Sequence, residues 1–171
     1  PELLVGSGAN WVYQYSRHGI NRPMDVYLVT DNLLNIARPA REKTHLVVAA
    51  GDLFGTRRPA LVLGDADGHL HLLENVGSVK EPAWRTLEDN LMPEPARKFA
   101  APVLFDVDGD GKDEFAIGYS LIDHDGKVLW TLEDKIGDHA DAVAVLKLHP
   151  DDPALSLFYA LGTQTLSVGD A

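Results

Sequence analysis

The sequence predicts an all-β chain organised as a β-propeller, about three and a half blades of a longer ring, and three observations lead there. ELLVG (2–6), ALVLG (60–64) and EFAIG (114–118) align without gaps at a spacing of roughly 55 residues, a period that suits a propeller blade. After each of them comes a tight Gly/Asn/Asp turn and an alternating run, in GANWVYQYS, DADGHLHLLEN and DHDGKVLWTLE, which is the pattern of a β-hairpin. Ahead of the acidic position in each later copy lies a further apolar run, HLVVAAGD, APVLFD and AVAVLKL, which supplies an inner strand.

Taken in order, the units are a partial blade over 1–42, blades over 43–98 and 99–140, and a partial blade over 141–171. In the first, PELLVG matches the second strand of a blade, so its first strand and loop are expected upstream. The stretch DNLLNIARPAREK has helical spacing for about two turns, which Pro39 and the charges after it limit to a short excursion. The second unit runs from HLVVAAGD through ALVLG and HLHLLEN to KEPAWRTL. The third holds the acidic loop DVDGDGKDE between APVLF and FAIG. The fourth begins at AVLKLHPDDPALSLFYALG and reaches SVGDA, where earlier copies read LGDADG. Each unit thus reads as three or four short strands. Closed propellers have about four to eight blades and protect their sheet edges by closure. The expected partner of this chain is therefore the missing blades of a longer chain, or a second copy.

Composition narrows the function classes. The chain has 171 residues, 45% of them hydrophobic, and a net charge of −11, which disfavours nucleic acid and anionic membranes as ligands. Its apolar runs fall far short of the roughly 20 residues of a spanning helix, so membrane insertion by a helix is not expected. No signal-like stretch opens the sequence, which places any targeting segment outside it. With no cysteine, disulfides and thiolate chemistry are excluded.

DVDGDGKDE (106–114) carries side-chain oxygens at loop positions 1, 3, 5 and 9, with glycines at 4 and 6 for the sharp turn. This spacing wraps a hard cation. Asp106, Asp108, Asp110 and Glu114 are the candidate side-chain ligands, with the Lys112 carbonyl at position 7. Calcium is the expected ion, because magnesium demands strict octahedral geometry and fewer protein ligands. An EF-hand is ruled out by Ile117 at position 12 and by strand-like flanks. A solvated acidic turn is the alternative. In the second unit GDLFGTRRPA keeps Asp52 but puts Phe54, Thr56 and Ala60 at positions 3, 5 and 9, and KLHPDDPAL in the fourth begins with Lys147. One calcium is expected, at the third unit.

DVDGDGKDEFAIG resembles the loop and following strand of FG-GAP and VCBS-type β-propeller repeats, and the repeat pattern extends over essentially the whole chain. Together with the DG hairpin and GDHADAVAVLKLHPDDP it is similar to rhamnogalacturonan lyases of polysaccharide lyase family eleven. That resemblance implies a secreted or periplasmic location and a polysaccharide ligand, an acidic glycan cleaved by β-elimination, with His139 and Asp141 at the positions of the family's catalytic His-x-Asp segment. Elimination requires neutralisation of a uronate carboxylate, a base for the C5 proton and a proton for the leaving oxygen, roles open to calcium, His and Asp. The sequence departs from the family in two places: RKFAAPVLFD lacks the histidine that precedes the family's loop, and the segment after LSLFYALG lacks the acidic residue expected to complete a second metal site. A noncatalytic module that binds glycan or protein, with calcium stiffening one blade, is the second reading, and in it His139 and Asp141 cap the entry to the next strand.

Other candidates are weaker. His69 and His71 share the polar face of a strand, where they are either solvated or in contact with a metal or sugar. Trp84 and Arg85 offer a stacking face and a carboxylate fork, although packing is the commoner role of such a tryptophan.

Overall fold

The computed structural model describes residues 2–8, 11–17, 26–31, 33, 45–88, 91, 101–136, 140–146, 155–161 and 167–169, and every regular element among them is a β-strand. The first sheet comprises β1 (Glu2–Gly6), β2 (Val12–Arg17) and β3 (Val26–Thr30). The second comprises β4 (Val47–Gly51), β5 (Ala60–Gly64), β6 (Leu70–Asn75) and β7 (Trp84–Glu88). A third holds β8 (Val103–Phe105), β9 (Glu114–Ile117), β10 (Ser120–Ile122) and β11 (Val128–Thr131). The fourth holds β12 (Ala140–Leu146), β13 (Ser156–Leu161) and β14 (Ser167–Gly169). All pairings are antiparallel and spatial order follows chain order, as short connections between consecutive strands dictate. The helical excursion expected over DNLLNIARPAREK falls, apart from Asp31 and Leu33, outside the described residues.

The aligned strands β1, β5 and β9 hold matching places, each pairing with the next strand through a hairpin. In the second and third sheets an inner strand, β4 or β8, lies on the other side. β1 adjoins β4, β4 adjoins β8, and β8 adjoins β12, so the leading strands of successive sheets sit side by side.

Side-chain alternation explains why β5 and β9 are apolar throughout. Leu61 and Leu63 point to the first sheet and pack with Val12 and Leu73, whereas Ala60 and Val62 point the other way and join Phe115, Ile117 and Ile122 of the third. Ala116, between Phe115 and Ile117, packs with Tyr119, Leu121, Leu157 and Tyr159 against the fourth sheet. Every residue of β5 and β9 is buried. Each inner sheet is therefore covered on both faces, and burial of its side chains at roughly 25 cal/mol per Å² holds neighbouring sheets together.

The repeat glycine serves two different needs. At Gly6 a β-carbon would collide with the Leu46 carbonyl, where the Leu46 N–H donates to Ser7 O at 2.9 Å and seats the second sheet on the first. Gly118 instead takes φ +54°, turning the chain between β9 and β10 so that the Tyr119 N–H reaches Glu133 Oε1 at 2.8 Å.

Candidate metal centre

The acidic loop leaves β8 and returns as β9, so its two ends are fixed by the pairing of Phe105 with Glu114. Gly109 at φ +81° and Gly111 at φ +86° bend the backbone inward. Asp106 accepts the Gly109 N–H at 2.7 Å and the Gly111 N–H at 3.1 Å, Asp108 accepts the Asp110 N–H at 3.0 Å, and Asp110 accepts the Lys112 N–H at 2.8 Å. Asp108 and Asp110 thereby fold short Asx-type turns, while Asp106 spans the loop to its two glycines. Carboxylate oxygens of Asp106, Asp108 and Glu114 come within 4.8 Å of one another. Oxygens on opposite sides of a calcium ion, each at its usual ligand distance, are about 5 Å apart, so this spacing suits the ion.

Glu114 is the unusual member. It is 1% exposed, its Oε2 accepts the Val107 N–H at 2.8 Å, and its Oε1 has no hydrogen-bond partner among the described residues. Burial pushes its carboxyl above the usual range; the Val107 N–H opposes this, and the charges of Asp108, Asp110 and Asp123 add to it. A buried carboxylate oxygen with no donor is costly unless a cation meets it. The all-oxygen donor set and this orphaned atom both fit a hard divalent ion. Asp110 stands apart from the cluster, its Oδ2 lying 3.8 Å from the Lys112 ammonium.

Sequence reasoning missed two neighbours. Asp123 and His124 belong to the turn after β10, and with Glu114 they form a second group whose ligand atoms lie within 4.8 Å. The strand register brings them in: β10 pairs Ile122 with Phe115, so the next residue along, Asp123, comes opposite Glu114. Reading DHDG only as a hairpin turn hid it.

The second unit's loop keeps the same backbone without the ligands. Gly55 at φ +64° and Arg57 at φ +58° repeat the left-handed positions of Gly109 and Gly111. Asp52 accepts the N–H groups of Thr56, at 2.9 Å, and Arg57, at 2.5 Å, as Asp106 does in its own loop. At position 9 Ala60 is wholly buried where Glu114 stands in the third unit.

Of the remaining candidates, Asp141 lies in β12 where its pairing with β13 slips between Ala140 and Ala142, and His139 lies outside the described residues. His69 and His71 both meet one carboxylate: Asp65 Oδ2 is 3.4 Å from His69 Nδ1 and 3.2 Å from His71 Nε2. Trp84 packs against the cluster of Val12, Leu61, Leu63 and Leu73, and Arg85 pairs with Glu74 at 2.5 Å.

Residues 100–170 match the family model described as the C-terminal domain of rhamnogalacturonan lyase family 11. The chain is related to the family 11 lyases. Rhamnogalacturonan endolyase YesW of Bacillus subtilis (strain 168) is 45% identical over 53 residues, which make up 31% of this chain and 8% of that protein. The crystal structure of the exotype rhamnogalacturonan lyase YesX is similar in fold, with a TM-score of 0.51 at 17% identity, over 99% of this chain and 36% of that one. This chain thus spans about a third of the structural relative and under a tenth of the curated one. The matched segment contains the acidic loop, the Asp123–His124 turn and the His-x-Asp positions.

Proposed function

We propose that this chain is part of a calcium-binding β-propeller from a rhamnogalacturonan lyase-like protein that acts outside the cytoplasm on an acidic glycan. The observation that carries the reading is that the segment matching the lyase C-terminal domain, 100–170, contains the loop whose buried Glu114 leaves Oε1 without a donor among the described residues. Successive antiparallel sheets with adjoining leading strands support the propeller, whose other blades come from a longer chain or a second copy.

Asp106, Asp108, Asp110, Glu114 and the Lys112 carbonyl would hold the calcium. When bound, the ion supplies positive charge that relieves carboxylate repulsion and stiffens the loop between β8 and β9. In the elimination, His139 accepts the C5 proton of a uronate, the bond from C4 to the leaving oxygen breaks as the C4–C5 double bond forms, and Asp141 orients the base. The leaving oxygen takes its proton from solvent.

The second reading is a noncatalytic module that binds glycan or protein. It is favoured by the second unit's loop, where Asp52 accepts the Thr56 and Arg57 N–H groups and has no carboxylates at positions 3, 5 and 9 beside it, and by the lack of a histidine in RKFAAPVLFD. Incubation with rhamnogalacturonan separates the two through the ultraviolet absorbance of the unsaturated uronate. Rising absorbance that His139→Ala removes at unchanged melting temperature supports the lyase. Glycan binding without absorbance supports the module.

A further inference from the structure

Glu114 faces two groups at once, and the second has its own chemistry. Its buried Oε1 points away from the single backbone donor on Oε2 and lies 3.9 Å from His124 Nδ1. His124 Nδ1 is itself buried with no hydrogen bond among the described residues, although it sits 2.6 Å from Asp123 Oδ1, which accepts the His124 backbone N–H instead. A carboxylate oxygen and an imidazole nitrogen, both enclosed and unbonded, thus converge beside a second carboxylate. We infer that Glu114, Asp123 and His124 form a second cation site, adjoining the calcium loop through Glu114, for a borderline divalent ion of the zinc class.

The donor set decides the class of ion. One imidazole with two carboxylates suits zinc or manganese better than calcium, which favours oxygen alone. Three protein ligands leave the remaining coordination positions to solvent, which the quarter exposure of Asp123 and His124 admits. Two antiparallel strands hold the ligands: Glu114 opens β9, and Asp123 directly follows β10, which pairs with it. The turn behind is rigid, since the Asp123 N–H donates to Lys127 O and the Gly126 N–H to Asp123 O, each at 2.8 Å.

Lys112 is the resident cation of this arrangement. Its ammonium lies 2.9 Å from His124 Nε2, and because an ammonium only donates, Nε2 accepts and the ring proton sits on Nδ1. An ion on Nδ1 moves that proton to Nε2, which then repels the ammonium. Lys112 is 36% exposed and already 3.8 Å from Asp110 Oδ2, so it can swing to that carboxylate. Ion and ammonium are therefore alternatives at His124.

The inference shares Glu114 with the calcium reading, and Lys112 only through its side chain rather than its carbonyl, and can stand if that reading fails. The test is calorimetric titration of the chain with Zn²⁺ in excess Ca²⁺, with His69→Ala/His71→Ala as the background to remove the other histidine pair. A single zinc site is expected, weakened at least about tenfold by His124→Ala and by Asp123→Asn, retained in Asp108→Ala, and tightened in Lys112→Met. Absence of zinc binding in this background, equal affinity in His124→Ala, or loss of zinc in a folded Asp108→Ala protein would overturn it. Circular dichroism of each variant separates loss of the site from loss of the fold.

Discussion

Asp113 Oδ2 accepts the Asp52 N–H at 2.7 Å while the Asp113 N–H donates to the Asp52 carbonyl at 3.1 Å. This reciprocal pair joins the loop of one sheet to the loop of the next across 61 residues of sequence. It makes the acidic loop a structural strut between the two sheets. Asp113→Ala should lower stability by about 1 to 3 kcal/mol, because it strands a partly buried amide, whereas Asp113→Asn keeps an acceptor and should cost less. Urea midpoints for the two variants check this. Equal losses would show that the side-chain acceptor is immaterial.

Arg57 holds a left-handed φ of +58° at the position that Gly111 occupies in the acidic loop. A non-glycine residue there costs about 1 to 2 kcal/mol, partly offset by the extra freedom glycine gives the unfolded chain. Arg57→Gly should therefore raise the thermal midpoint slightly. A lower midpoint would mean that the arginine side chain contributes more than its backbone costs.

Asp65 makes acid sensitivity local. Burial raises its carboxyl, but the His69 N–H, the His71 ring and the charges of both histidines outweigh that and hold it below its ordinary value of 3.8. A lowered carboxyl stabilises the fold fully above that ordinary value, and the contribution is lost as pH falls through the lower folded value. Stability measured from neutral pH down to acid should fall less steeply at the acid end in Asp65→Asn than in the parent. Parallel curves would contradict the assignment.

Much of this was legible in the sequence, because a period-two pattern and repeated glycines report directly on strands and turns. The ALVLG and EFAIG alignment located β5 and β9, and DVDGDGKDE located a loop whose Asp106, Asp108 and Glu114 do converge. What was hidden lies between strands. Asp123 meets Glu114 only through the register of β9 with β10, and the shared carboxylate of His69 and His71 depends on how the hairpin turn folds back over Asp65. Spacing puts Asp110 in the same loop, and only the structure shows its Oδ2 lying 3.8 Å from the Lys112 ammonium. Local spacing tells which residues share a loop; only pairing tells which side chains meet across it.

The central claim is that the loop from Asp106 to Glu114 binds calcium, and thermal unfolding with and without a chelator, in the parent and in Asp108→Ala, tests it most directly. A ligand that binds only the folded state stabilises it by about 2.7 kcal/mol at a hundredfold excess over its dissociation constant. The account predicts that the chelator lowers the parent's midpoint by several degrees, that added Ca²⁺ restores it, and that Asp108→Ala shows no chelator response. A parent that ignores the chelator after complete removal of calcium, or an Asp108→Ala variant that responds as strongly as the parent, would contradict it.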